Sequence, residues 1–218
     1  AIDASSQALS SPLMQALKQQ QLAAESNLSE LSVTYLPTHP KFIAAQQQLD
    51  TVNRKVKAEA IGKAEAVIGA GVVFGSNTST LPITSLAGLS QRPKNFVGVH
   101  FFSPVDRMPL VEVIRGKRTA DATLARALDF VQRLRKTPIV VNDSRGFYTS
   151  RVFATYVMEG IAMLGEGVHP RSIEVAGLKA GMPMPPLALQ DEVSLSLSLH
   201  IAEQTRKDLV AEGRTVPA

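Results

Sequence analysis

Glu112 lies in the run Leu110-Val111-Glu112-Val113-Ile114, whose other members are all large and apolar. Such a run reads as a buried strand, and an ionised carboxylate inside one is costly unless a partner compensates it. The fold must therefore bring a partner to Glu112. His100, in Val99-His100-Phe101-Phe102-Ser103-Pro104-Val105, is the natural one. It too sits on a strand-like segment, and the prolines between the two segments allow a bend. Two antiparallel or crossing strands would join imidazole and carboxylate. A carboxylate on one ring nitrogen fixes the tautomer and leaves the other nitrogen to take a proton. A lone histidine in an apolar strand is more often a packed core residue; Glu112 shifts the reading toward a base with its orienter, and so toward an enzyme.

Composition narrows the remaining classes. The 218 residues are 44% hydrophobic and 19% charged, the balance of a globular chain with a core of its own. A net charge of +4 suits an anionic ligand and equally an ordinary surface. Basic residues are scattered and aromatics make up 5%, so neither a stacking platform nor a nucleic-acid face is expected. There is no cysteine, which removes disulfides and thiolate chemistry and agrees with a reducing, cytoplasmic setting. No paired histidines suggest a metal site. No apolar run is long enough to span a membrane, and no signal peptide is visible. The chain does not begin with methionine, which suggests a fragment or a processed protein.

The hydrophobic period changes along the chain. Ser11-Pro12 is a helix start, and Met14, Leu17, Gln21, Ala24, Leu28, Leu31 and Tyr35 follow at alternating spacings of three and four. Leu36-Pro37-Thr38-His39-Pro40 breaks that helix. Ala45, Leu49, Val52 and Val56 continue the pattern in a second, giving an antiparallel hairpin. The helix runs on to about Ile68, where Gly69-Ala70-Gly71 ends it. Short apolar strands are then expected at 72–76 (buried), 96–102, 110–115 and 138–141, with a helix at 121–135. Residues 152–164, 170–180 and 192–210 read as helices. The fold class is α/β: a partial Rossmann-like sheet, an N-terminal helical hairpin and an all-helical C-terminal domain, with the last boundary near 143–146.

The blocks Ser76-Asn77-Thr78-Ser79-Thr80-Leu81-Pro82-Ile83, His100, Glu112 and Asn142-Asp143-Ser144-Arg145-Gly146-Phe147 resemble, in this order, the 3-hydroxyacyl-CoA dehydrogenases. The likeness is to the dehydrogenase part of bacterial multifunctional fatty-acid oxidation proteins and runs from about Asn53 onward. The resemblance implies NAD as cofactor and an acyl-CoA substrate oxidised at its 3-hydroxyl. His100 would be the base and Glu112 its support. Ser79 and Ser150 would contact substrate oxygen, while Asn77, Lys57 and Ser103 would lie toward the cofactor. It also implies a homo-oligomer built through the C-terminal helices. By the same resemblance, residues 52–143 are the C-terminal part of the NAD-binding domain and 144–218 an incomplete helical domain.

Several positions depart from that family's pattern. Ser150 and Ser103 stand where asparagine is usual, Pro185 where glycine is usual, and Val52 where glutamate is common. A dinucleotide fold also needs a strand, a glycine-rich turn and a helix, with an acidic residue about 20 positions further on. The nearest candidate, Gly69-Ala70-Gly71-Val72-Val73-Phe74-Gly75, follows a helix and opens a strand. Residues 1–51 instead resemble the helical hairpin of polysaccharide chain-length determinant proteins, through Ser11-Pro12-Leu13 and Tyr35-Leu36-Pro37-Thr38-His39-Pro40-Lys41. The expectation is a dehydrogenase that is truncated and weakly active or inactive alone. The alternative is a non-catalytic scaffold made of a hairpin and a remnant dehydrogenase domain.

Overall fold

A computed structural model describes residues 11–79, 81–193, 195–211 and 213. The chain forms two compact units, Ala1–Tyr148 and Thr149–Ala218. The remainder of the proposed hairpin segment, residues 1–10, lies outside the described residues.

The first unit opens with α1 (Pro12–Thr34) and α2 (Pro40–Val67). Ser11 caps α1 by accepting from the Met14 N–H, and His39 Nδ1 caps α2 by accepting from the Lys41 N–H. Met14, Leu17 and Ala24 are buried against Phe42, Ala45, Leu49 and Val52 of the antiparallel partner. Gln21, the polar member of the seam, is paired rather than orphaned: its Nε2 donates to Asn53 Oδ1 at 2.9 Å. The second helix passes through residues 51 and 52 without a break, and its buried Ile61 joins the core of the sheet.

The far end of α2 is clamped. Arg92 donates to the carbonyls of Glu65, Ile68 and Gly69, terminal acceptors that the helix itself leaves unpaired. Buried Glu65 accepts from the Ser90 hydroxyl and from the Gln91 N–H at 3.0 Å. Burial works to raise the Glu65 carboxyl, but the hydrogen bonds from Ser90, Gln91 and Arg92 and the guanidinium charge outweigh it and hold the group below the ordinary 4.5. A depressed value in the fold means that this stability is complete above about pH 4.5 and is lost as pH falls further. Glu65→Gln should therefore lower unfolding stability by about 2 kcal/mol at pH 7. In urea titrations the gap from the parent should close below pH 4.5; a gap that is the same at pH 3 and pH 7 contradicts this account.

The sheet has the order β1 (Phe74–Ser76), β2 (Phe96–Phe101), β3 (Leu110–Arg115) and β4 (Thr137–Asn142). β1 is parallel to β2, β2 antiparallel to β3, and β3 parallel to β4. The expected buried strand at 72–76 is corrected in one respect. It is three residues long, Gly75 is exposed, and Val72 precedes it at 45% exposure, because among the described residues β1 is an edge strand with a partner on one side only.

Alternation along β2 and β3 sorts the core into two faces. Val97, Val99, Val111 and Val113 pack on α4 (Asp121–Arg133) through Ala127 and Val131. Phe96 and Ile114 occupy the opposite face with Ile61, Phe147 and the short helix α3 (Ile83–Ala87). Arg135, in the left-handed region at φ 57°, turns the chain from α4 toward β4.

The second unit contains α5 (Thr149–Gly165), α6 (Pro170–Lys179), α7 (Pro186–Val193) and α8 (Leu195–Ala211). The helix expected at 192–210 is thus α8 preceded by the end of a separate α7. Close packing depends on two glycines: a Cβ at Gly160 would lie 2.7 Å from Pro186, and one at Gly177 would collide with the Tyr156 hydroxyl. Glu174 accepts from the N–H groups of Leu187 and Ala188, which start α7.

Candidate active site

His100 and Glu112 are direct cross-strand partners in the antiparallel β2–β3 pair. Period-two alternation puts both on the same face as Phe96 and Ile114. His100 Nδ1 lies 2.7 Å from Glu112 Oε2. The imidazole is 5% exposed and the carboxylate 0%, so the pair is held away from water that would weaken it. Phe102 and Phe147 flank the imidazole, with ring centroids 4.6 and 5.9 Å away. With Nδ1 committed to the carboxylate, Nε2 is the nitrogen available to exchange a proton with a ligand.

The other oxygen of Glu112 is also held: Oε1 accepts from the Tyr148 N–H at 3.0 Å. This donor had no signal in the sequence, since a backbone N–H carries no residue identity. Asp143 is similar. Its two oxygens accept from the N–H groups of Ile83 (2.8 Å) and Thr84 (2.7 Å), capping α3 where Pro82 offers no side-chain acceptor. The loop that enters α3 carries Asn77 and Ser79.

Asn77 follows β1 directly, and its Oδ1 accepts from the Phe101 N–H at 3.0 Å, tying together the C-terminal ends of the two parallel strands. Ser79 is exposed in the same loop. Ser103 is exposed just after β2, and Lys57 is half-buried on α2. Ser150 is half-buried in the first turn of α5, in the second unit. An open depression of about 850 Å³ is bordered by Asn77, Phe101, Val105, Asp106, Leu134 and Lys136. Among the described residues no cluster of three or more His, Cys, Asp or Glu side chains could hold a metal ion.

Residues 4–144 match the family model described as 3-hydroxyacyl-CoA dehydrogenase, NAD binding domain. The chain belongs to the 3-hydroxyacyl-CoA dehydrogenase family. Residues 146–217 match that family's C-terminal domain, so the two matched ranges meet inside the turn that follows β4. The first range also runs through the helical hairpin. The fatty acid oxidation complex subunit alpha of Shewanella amazonensis is 40% identical over 154 residues, which are 71% of this chain and 22% of that protein. The same figures hold for the Shewanella frigidimarina subunit. The chain thus spans about a fifth of the length of the curated relatives it matches.

Among solved structures, M. tuberculosis FadB2 is 31% identical with a TM-score of 0.65, covering 71% of this chain and 56% of that one. The (S)-3-hydroxybutyryl-CoA dehydrogenase PaaH1 of Ralstonia eutropha is 32% identical with a TM-score of 0.61, covering 75% and 60%. The 3-hydroxybutyryl-CoA dehydrogenase of Escherichia coli K12 is 25% identical with a TM-score of 0.63, covering 87% and 44%. The α/β Rossmann-like dehydrogenase fold is common to this chain and these neighbours.

The strand ends bear on where a dinucleotide could lie. Ligands of parallel α/β sheets sit at the carboxyl ends of the strands, which here carry Asn77 and the end of β2 near His100. A pyrophosphate cradle does not fit the described residues. Gly69 and Gly71 lie between α2 and β1, outside any strand-to-helix turn, and neither adopts a left-handed φ.

Proposed function

We propose that this chain carries the proton-transfer centre of an NAD-dependent 3-hydroxyacyl-CoA dehydrogenase of fatty-acid β-oxidation, oxidising 3-hydroxyacyl-CoA to 3-oxoacyl-CoA. The observation that carries the reading is the buried 2.7 Å contact between His100 and Glu112 near the C-terminal end of β2. His100 Nε2 takes the proton of the 3-hydroxyl as the carbon–oxygen bond becomes a carbonyl. Glu112 stabilises the resulting imidazolium and keeps its ring in place. When bound, NAD supplies the acceptor for the hydride that leaves carbon 3. Asn77, Lys57 and Ser103 are the residues assigned to the cofactor side, and Ser79 and Ser150 to the substrate oxygen. In the reverse direction the same imidazolium returns the proton.

In this proposal residues 52–143 are the C-terminal part of the NAD-binding domain and 144–218 the helical C-terminal domain. A separate origin for the hairpin at 1–51 rests on its chain-length-determinant turn alone, and the NAD-binding-domain match that runs through it counts against that assignment. With no pyrophosphate cradle among the described residues, the chain alone should turn over poorly. The proposed setting is the cytoplasm, in keeping with the absence of cysteine, and neither nucleic acid nor membrane is a proposed partner. Among the described residues no helix is long and apolar enough to cross a membrane.

The test separates binding from turnover. A 3-hydroxyacyl-CoA should perturb the imidazole NMR signals of His100, and Ser79→Ala should weaken that response. NADH consumption with acetoacetyl-CoA should stay far below that of an intact dehydrogenase. An imidazole unaffected by saturating acyl-CoA would sink the substrate assignment, and near-native turnover would refute the expectation of poor turnover.

A scaffold reading draws support from α5, which leaves Val152, Met158 and Leu164 exposed on a helix with few charges. A second copy of the chain is the proposed cover for these side chains, which are spread around the helix. Light scattering with NAD titration discriminates: a stable oligomer indifferent to NAD favours the scaffold, while cofactor binding favours the enzyme.

A further inference from the structure

We propose that the left-handed pair Gly146–Phe147 is a positioning element for the His100–Glu112 dyad. Residues 143–148 leave the end of β4 through a turn closed twice, by the Phe147 N–H donating to Ser144 O at 3.2 Å and by Ser144 Oγ donating to Phe147 O at 3.2 Å. Gly146 has φ 69° and Phe147 φ 45°. Glycine adopts that conformation freely, but a phenylalanine does so only when its surroundings over-determine it.

Two consequences of the turn meet at the dyad. The Phe147 ring is buried in the sheet core, tilted toward the His100 imidazole. The next backbone N–H, that of Tyr148, donates to Glu112 Oε1. The carboxylate is then held through both oxygens, one by the imidazole and one by the main chain, so its plane is fixed and the histidine ring with it. A right-handed turn here would redirect both the ring and the N–H. The backbone strain at Phe147 thus lies beside the one buried acid–base pair of the sheet, where strain that orders a functional group is expected.

A role in proton transfer rests on the dehydrogenase reading; the hydrogen-bond geometry does not, and the test reads the geometry alone. In the full chain without NAD or acyl-CoA, the proton shared by His100 Nδ1 and Glu112 gives a slowly exchanging downfield NMR resonance, identified by its loss in Glu112→Gln. Gly146→Val, a β-branched residue at a left-handed position, should speed exchange of that proton about tenfold, the equivalent of one charged hydrogen bond. Gly146→Asn, which tolerates the conformation, should restore slow exchange. Should the valine variant fail to fold, replacing the Tyr148 amide by an ester removes the donor alone and should give the same acceleration. Exchange unchanged in the folded valine variant or in the ester overturns the proposal. Failure of the dehydrogenase reading would appear separately, as an imidazole that does not respond to acyl-CoA.

Discussion

Glu112→Leu should destabilise the chain by about 3–5 kcal/mol, and adding His100→Leu should recover most of that loss. Glu112 is fully buried and His100 nearly so. Removing the carboxylate alone strands an imidazole and a backbone N–H that both rely on it. Removing the imidazole alone leaves a fully buried carboxyl group on an apolar sheet face with one fewer partner. Both single variants therefore bear a desolvation penalty without its compensation. The double variant replaces the pair by apolar side chains on a face already lined by Phe96, Ile114 and Phe147, and loses the Tyr148 contact. Urea unfolding of the four proteins gives the cycle. Single effects that simply add in the double variant would mean that the two groups are not coupled, and the dyad would be a coincidence of packing.

The second large effect is expected at Gly98, on the same face between Phe96 and His100. A Cβ there would lie 2.8 Å from both Ile114 Cβ and Ile83 Cγ1. Ile83 is fully buried, and Asp143 fixes the backbone of α3 from which it projects, so neither neighbour can withdraw without moving an element. Gly98→Ala should cost about 3 kcal/mol through overpacking, despite alanine's slightly better fit to a strand. Ile114→Val in the same chain removes the Cδ1 that would also lie 2.8 Å from the new Cβ and should return part of it. A Gly98→Ala protein as stable as the parent would show that α3 is not held against the sheet as described. The same displacement would shift the loop bearing Asn77 and Ser79, so, under the proposed function, the imidazole response to acyl-CoA should weaken along with stability.

The contact at the centre of the candidate site was legible in the sequence. The central positions of β2 and β3 are apolar except for glycine, His100 and Glu112, and a buried charge in such a strand demands a partner. Twelve residues apart, on two strands joined by a proline-containing bend, these two had one economical way to meet. The hairpin was equally legible, since a three-four seam is a local property; even its polar member, Gln21, found a partner in Asn53 across the seam. The exposure of β1 was not legible. Val72-Val73-Phe74 has the composition of a buried strand, and nothing in that segment says that only one side of it is paired.

What the sequence determined by itself was the kind and order of the elements, and the requirement that Glu112 not be left alone. Both follow from side-chain identity: periodicity marks the faces, and the cost of burying a charge marks the partner. The tertiary structure alone decided how that pair is held. Asp143 reaches amides 60 and 59 residues away, and Glu112 accepts from an amide 36 residues away. The donors in these contacts are backbone N–H groups, alike at every non-proline position, so no pattern in the chain could point to Ile83, Thr84 or Tyr148 until the fold brought them within reach.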